Sequence, residues 1–315
     1  VEGDTVTLTA DFTDAGVLDT HTATIDWGDG TSTAGVVDQL LGTVTGDHVY
    51  ANGGIYEATI TLTDDDTGEA TEATAAVVAG VGENDGVLQA VGTDGNDFVK
   101  VFRNTYSGDY KVLFRLDGGA WTWRTFDGTS VDKIEMLLGD GDDIGFVSRK
   151  VHINATIDSG DGDDLLGGGS GDDVLLAGAG YDLLFGGAGR DLMIGGTGSD
   201  LIFGDGGSDI LISGTTAFDN NSVALDAIMA EWTSERTYQE RSDNLRGIVG
   251  DTFDDRENGE VFLIAEGPLA TVFDDESTDW LIGGRGRDLY FAGDDDVSFA
   301  RFGEIIEEIE AEDPA

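Results

Sequence analysis

Between Ser159 and Ile212, six segments of nine residues follow one another without a slip, and this period constrains the fold more than any other feature of the chain. A representative segment is Gly168-Gly169-Ser170-Gly171-Asp172-Asp173-Val174-Leu175-Leu176. The sixth residue is an aspartate every time: Asp164, Asp173, Asp182, Asp191, Asp200 and Asp209. From Gly160 to Gly214 there are 18 glycines in 55 residues. A stack of short parallel strands has to turn sharply after each strand, and glycine supplies backbone conformations closed to other residues. The triplet after each aspartate is mostly apolar and reads as the strand.

The charge balance points to bound cations. Lys and Arg number 16 against 64 Asp and Glu, a formal net charge of −48. A bare polyanion repels itself in the compact state, yet 39% of the residues are apolar, unlike a disordered acidic tail. Cations that neutralise part of the charge reconcile the two. Nucleic acid is excluded as a partner, because phosphate binding needs basic patches. With no Cys, no disulfide holds the chain, and metal is the natural substitute. No run of 18 apolar residues occurs, so no membrane span is expected. The start at Val1, without Met or a signal peptide, reads as a processed product or an excised piece.

The nonapeptide resembles the G-G-x-G-x-D-x-U-x repeat of RTX (repeat-in-toxin) proteins. The resemblance implies a parallel β-roll in which two repeats make one coil, so that residues 18 apart stack. Asp164, Asp182 and Asp200 then line one edge, and Asp173, Asp191 and Asp209 the other. It also implies Ca²⁺ as the bound ion, held between stacked turns with carbonyls completing an all-oxygen shell. Folding and ion binding are then linked. Mg²⁺ fits poorly, since it demands a smaller octahedral site. Turns of the same type occur at Gly139 to Asp143 and Gly283 to Phe291, which adds Asp143 and Asp288 to the candidate metal ligands. Gly92 to Asp97 is a weaker match, because ordinary strands follow it at Phe98 to Phe102 and Tyr110 to Leu116.

The first eighty residues alternate polar and apolar side chains, as in Val6 to Ala10, Ala23 to Trp27 and Tyr56 to Leu62. Turn signals separate them at Asp29-Gly30, Asn52-Gly53-Gly54 and Asp66-Thr67-Gly68. Short strands with regular turns predict an antiparallel β-sandwich of about seven strands. The run Ile25-Asp26-Trp27-Gly28-Asp29-Gly30, with His48-Val49-Tyr50, Gly54-Ile55-Tyr56 and Leu62-Thr63-Asp64, resembles the PKD (polycystic kidney disease) domain over residues 1 to 79. That family is similar to immunoglobulin sandwiches and implies a spacer or adhesion module. Trp27 and Tyr56 are expected in the core, His48 as a structural histidine, and Asp64 to Asp66 as a solvated turn.

In a roll the eighth position of each repeat points inward and the seventh and ninth point out. Here the outward positions are apolar too: Leu183, Phe185, Leu201 and Phe203 on one sheet, Val174, Leu176, Leu192, Ile194, Ile210 and Ile212 on the other. Such patches on a soluble protein call for a cover. The insertion between Gly214 and Gly283 is the expected one. Asp219 or Asn221 suits a helix N-cap, and Leu225, Ile228, Met229 and Trp232 recur at helical spacing. Tyr238, Leu245 and Ile248 suggest a second helix; short strands are expected at Val261 to Ala265 and Ala270 to Phe273. The other sheet is expected to meet the meander of residues 81–157 or a neighbouring subunit.

The reading is therefore an all-β-dominated chain, a PKD/Ig-like sandwich plus an RTX β-roll with a small helical insertion. Its divisions are a sandwich at 1–80, a β-meander leading into the roll at 81–158, the roll at 159–213, the insertion packing on it at 214–282, a final turn at 283–300 and an acidic tail at 301–315. The tail reads as a solvated linker, with an added strand or helix as the alternative. No catalytic motif occurs: there is no H-E-x-x-H, G-x-S-x-G, P-loop or G-x-G-x-x-G, and His21, His48 and His152 are scattered. The chain is expected not to be an enzyme. The expected function is a calcium-dependent structural or adhesive segment of a bacterial surface protein, extracellular and exported by a type I route. A subunit of a self-assembling filament and an accessory region of a secreted hydrolase are the alternatives. Expected partners are Ca²⁺, neighbouring domains or copies of the same protein, and a surface glycan or protein ligand.

Overall fold

The structure, a computed structural model, describes residues 1–13, 19–66, 68–250 and 253–309. The chain divides into two compact units, Val1–Val91 and Gly92–Ala315.

In the first unit the alternating segments form strands Thr5–Asp11, His21–Asp26, Ser32–Asp38, Thr43–Val49, Gly54–Asp64 and Glu69–Val78. Six strands, rather than about seven, precede residue 79 among the described residues. Ser32–Asp38 serves both layers: Ser32 to Gly35 pair with His21–Asp26, whereas Val36 to Asp38 pair with Thr43–Val49. A Cβ on Gly35 would meet Val44 at 2.8 Å and Ala23 at 2.9 Å, so only glycine fits where the strand changes partner. Between the layers lie Ile25 and Trp27, both 0% exposed, with Val44, Tyr50 and Tyr56. Trp27 Nε1 donates to Thr33 Oγ1 and the Tyr50 hydroxyl donates to the Trp27 carbonyl, both at 2.9 Å. His48 stacks on Trp27 and bonds Asp29 at 2.7 Å, a structural role. Asp66 donates its N–H to Asp64 in the expected turn, while Thr67 lies outside the described residues. A hairpin, Gly80–Asn84 with Val87–Val91, follows through Asp85 and Gly86, both at positive φ as a tight hairpin turn requires.

The second unit is a roll of two parallel sheets. In the first sheet the order is Thr122–Phe126, Tyr110–Arg115, Phe98–Arg103, Ile144–Val147, Leu165–Gly169, Leu183–Gly189, Leu201–Gly207, Trp280–Ile282 and Val297–Ser298. The second sheet carries Lys133–Leu137, Ala155–Asp158, Val174–Ala179, Leu192–Thr197, Ile210–Ile212, Leu289–Ala292 and Ile305–Glu308 in turn. Parallel coiling thus starts well before the nonapeptides, at residues first read as a meander leading into the roll. The antiparallel strands from Tyr110 and Thr122 extend the edge of the first sheet through Phe98–Arg103 and do not cover its face. Eighth-position residues point inward and are fully buried: Leu184 and Ile202 from one sheet, Leu175, Met193 and Leu211 from the other.

The insertion supplies two helices. Asn221, not Asp219, caps α1 (Ser222–Thr233), its side chain accepting from the Ala224 N–H at 3.1 Å. Asp219 instead accepts from Thr216. α2 (Tyr238–Leu245) opens with a capping box of Thr237 and Glu240. It ends before Ile248, which is exposed, because the chain leaves the helix at Gly247 with φ +69°. Leu225, Ile228, Met229 and Trp232 share one core with Val174, Leu176, Leu192, Ile194, Ile210 and Ile212. The helices therefore cover the outer face of the second sheet.

Three readings of local structure need correction. Val261 to Ala265 is not a strand; Leu263 bonds the end of α2 through the Leu245 carbonyl and buries its side chain. Of Ala270 to Phe273, only Val272–Phe273 is a strand, paired with Thr215–Thr216. The tail does not run free as a linker: Ile305–Glu308 adds a parallel strand beside Leu289–Ala292, and Ile305 packs against the helical core. Glu310 to Ala315 lie outside the described residues.

Candidate metal centre

Each coil of the roll repeats one hydrogen bond at its turns. On the first edge the Asp164 N–H donates to Asp182 Oδ1 at 2.7 Å and the Asp182 N–H to Asp200 Oδ1 at 2.9 Å, each across 18 residues. On the second edge Asp173 donates to Asp191 at 2.9 Å and Asp191 to Asp209 at 3.0 Å. The six sixth-position aspartates thus form two ladders, three on each. Asp143 joins the first ladder by donating to Asp164 at 2.7 Å, and Asp288 the second by accepting from Asp209 at 2.9 Å.

The insertion does not break either ladder. The step from Asp200 to Asp279 and the step from Asp209 to Asp288 both span 79 residues, yet keep the same bond at 2.6 and 2.9 Å. The added residues are spliced into a single turn, which begins at Ser213 and closes at Asp279. Asp279 is a ladder residue that sequence reasoning missed. The signal was Asp279-Trp280-Leu281-Ile282, an aspartate and apolar triplet, but Asp274 to Thr278 before it contain no glycine.

Only one oxygen of each aspartate is used. Oδ2 of Asp143, Asp164, Asp173, Asp182, Asp191, Asp200, Asp209, Asp279 and Asp288 is buried with no hydrogen-bond partner. These side chains are no more than 3% exposed. The two end rungs of the first ladder differ. Asp97 accepts from Asp117 through Oδ1 and from Thr93 through Oδ2, and Asp296 accepts from Asp279 and Gly293. Protein amides satisfy the ends of this ladder, while the rungs between them, and the second ladder through Asp288, keep a free acceptor. Asp274, which was not singled out in the sequence, also buries an unpartnered oxygen; burial and then Asp296 and Asp295 push it up to about 6.

Buried acceptors without donors are costly, and ionised ones far more so. Burial accordingly pushes Asp143 and Asp182 up to about 8, and Asp191, Asp200 and Asp288 up to about 7. In each case the amide bond at Oδ1 opposes the rise without cancelling it. Asp279 is pushed up to about 9, by burial first and then by Asp296 and Asp200.

The free oxygens converge with carbonyls at the first glycine of a turn. A Cβ on Gly186 would lie 2.6 Å from Asp191 Oδ2 and 3.1 Å from the Gly204 carbonyl oxygen of the next coil. On Gly195 the same atom would lie 2.5 Å from both Asp200 Oδ2 and the Ser213 carbonyl, and on Gly204 2.5 Å from Asp209 Oδ2 and the Gly283 carbonyl. Glycine leaves a cradle there, bounded by one carboxylate and one carbonyl oxygen. Among the described residues no three carboxylates or histidines converge on a point. An ion in this cradle would be held by a carboxylate together with backbone carbonyls. Such an all-oxygen set fits a hard cation with flexible coordination, and Ca²⁺ better than Mg²⁺.

Residues 1–79 match the PKD domain family. Residues 154–184, 185–215 and 271–297 match the RTX calcium-binding nonapeptide repeat, and the last of these segments contains Asp279. No curated protein and no solved structure matches the chain. The chain thus carries a PKD domain at residues 1–79, followed by RTX calcium-binding nonapeptide repeats within residues 154–297.

Proposed function

We propose that this chain is a calcium-clamped structural segment of an extracellular protein, in which the roll folds only where calcium is plentiful. The observation that carries the reading is the double ladder of buried carboxylates, each with one oxygen bonded to the coil before it and the other left without a donor. Bound Ca²⁺ would supply the positive charge that lets these carboxylates stay ionised in a buried position. The Oδ1 atoms set the register between coils, and the glycines keep the cradles open. In a low-calcium cytosol the ionised aspartates oppose compaction, so the chain stays unfolded until export.

PKD and RTX modules are typical of extracellular bacterial proteins, and no helix among the described residues is long and apolar enough to cross a membrane. The first unit, with Trp27 and Tyr50 locked in its core, suits a passive spacer. No catalysis is assigned to the segment, since its buried carboxylates lie in turns where the ionised form serves the ion. Limited proteolysis with and without chelator tests the reading. Protection of residues 133–309 only in calcium supports it, and equal protection in both conditions contradicts it.

A further inference from the structure

The two sheets of the roll carry the same repeat positions outward but meet different fates. On the second sheet Leu192, Ile194, Ile210 and Ile212 are 0 to 2% exposed beneath α1 and α2. On the first sheet their counterparts Leu183, Phe185, Leu201 and Phe203 remain only half-buried, and Trp280 and Phe299 are 47% and 49% exposed. We propose that two copies of this chain pair face to face through this outer surface of the first sheet.

The surface is a regular strip. Register carries one outward row from Phe98 through Ile144, Leu165, Leu183 and Leu201 to Trp280. A second row runs beside it through Phe146, Gly167, Phe185 and Phe203 to Ile282, with the Phe146 ring over Gly167 and the rings of Phe185 and Phe203 stacked at 5.2 Å. Nine strands at about 4.8 Å spacing make the strip roughly 38 Å long. Two rows of side chains across it give roughly 500 Å² per copy, so a pair buries about 1,000 Å², the size at which specific interfaces begin.

Charge favours a second copy as the occupant. The chain carries 64 acidic residues in 315, yet neither row contains one, and the cations Lys100 and Arg115 fall in them. Two copies repel each other over most of their surface, and this strip is where they approach without opposing carboxylates. A glycan would need hydrogen-bonding groups among the rings, and from Ile144 to Ile282 the strip offers no polar side chain. Two flat strips of equal pitch interdigitate as stacked sheets do, about 10 Å apart, and an isologous two-fold contact closes without forming a fibre.

The test is sedimentation of the full chain in calcium from about 1 to 100 μM, a range spanning ordinary reversible dimers. Wild type is expected to pass from monomer to dimer. Phe185→Lys/Phe203→Lys and Phe185→Asp/Phe203→Asp should each weaken pairing at least tenfold, and an equimolar mixture of the two should recover a dimer. Circular dichroism of the same samples separates loss of the calcium-folded roll, on which pairing depends, from loss of pairing itself. A wild type that stays monomeric while folded overturns the proposal, as does a dimer that persists in the Lys variant. Monomeric protein that floats with phosphatidylcholine vesicles overturns it in favour of a lipid surface.

Discussion

The backbone N–H of Asp191 donates to Oδ1 of Asp209, 3.0 Å away and 18 residues later, while Oδ2 of Asp209 stays buried without any donor. One carboxylate thus has two separate duties. Oδ1 fixes the register of neighbouring coils, and Oδ2 is left for a cation.

Asp182→Asn separates these duties. The amide oxygen still accepts from Asp164, so the coil register survives, but the charge at the cradle is gone. The calcium concentration at half-folding is expected to rise roughly tenfold or more. Asp97→Asn has both oxygens already engaged by Thr93 and Asp117, so it should weaken the end of the roll without moving the calcium midpoint. Calcium titrations followed by tryptophan fluorescence compare the two.

Adjacent glycines give a second contrast. Gly186→Ala places a methyl against Asp191 Oδ2 and fills the cradle, while its φ lies outside the left-handed region. Gly187→Ala is strained at φ +105° and drives into the Gly169 carbonyl at 2.4 Å, whether or not an ion is bound. The first should chiefly raise the calcium concentration at half-folding; the second should lower the melting temperature even at saturating calcium.

The raised carboxyls fix the sign of the pH response. Asp182 and Asp143 reach about 8 and Asp200 about 7 in the fold, against about 3.9 for an unfolded aspartate. Between those values the metal-free fold holds more protons than the unfolded chain, so its stability falls as pH rises. Chelator-treated protein should therefore hold more β-structure at about pH 5 than at about pH 8, and added calcium should increase the folded fraction far more at the higher pH. A metal-free β-content that climbs from about pH 5 to about pH 8 contradicts the assignment.

Trp232 ties α1 to the roll. It is fully buried, and its Nε1 donates to the Ser208 carbonyl at 2.6 Å, in the turn that leads to Asp209. Trp232→Ala should cost about 3–5 kcal/mol, read from the denaturant midpoint in calcium.

The parts of this architecture legible in the sequence were those with a strict local rule. The nine-residue period identified the ladder from Asp164 to Asp209, and i, i+3, i+4 spacing identified the buried face of α1. What escaped depends on partners distant in sequence. Asp279 belongs to its ladder through a bond to Asp200, 79 residues away, and the acidic turn before it hides the repeat. Ile305–Glu308 reads as a solvated tail because its charges are local, whereas its strand pairing with Leu289–Ala292 is not. Ser32–Asp38 escaped because it changes partner at Gly35, which interrupts the alternation a single sheet would impose.

The most direct test of the central claim is far-UV circular dichroism of chelator-treated protein titrated with calcium at about pH 7.5, where a free aspartate is ionised. Cooperative gain of β-structure, at a calcium level that magnesium cannot replace, is the predicted result. A spectrum already complete in chelator and unmoved by calcium would contradict the account.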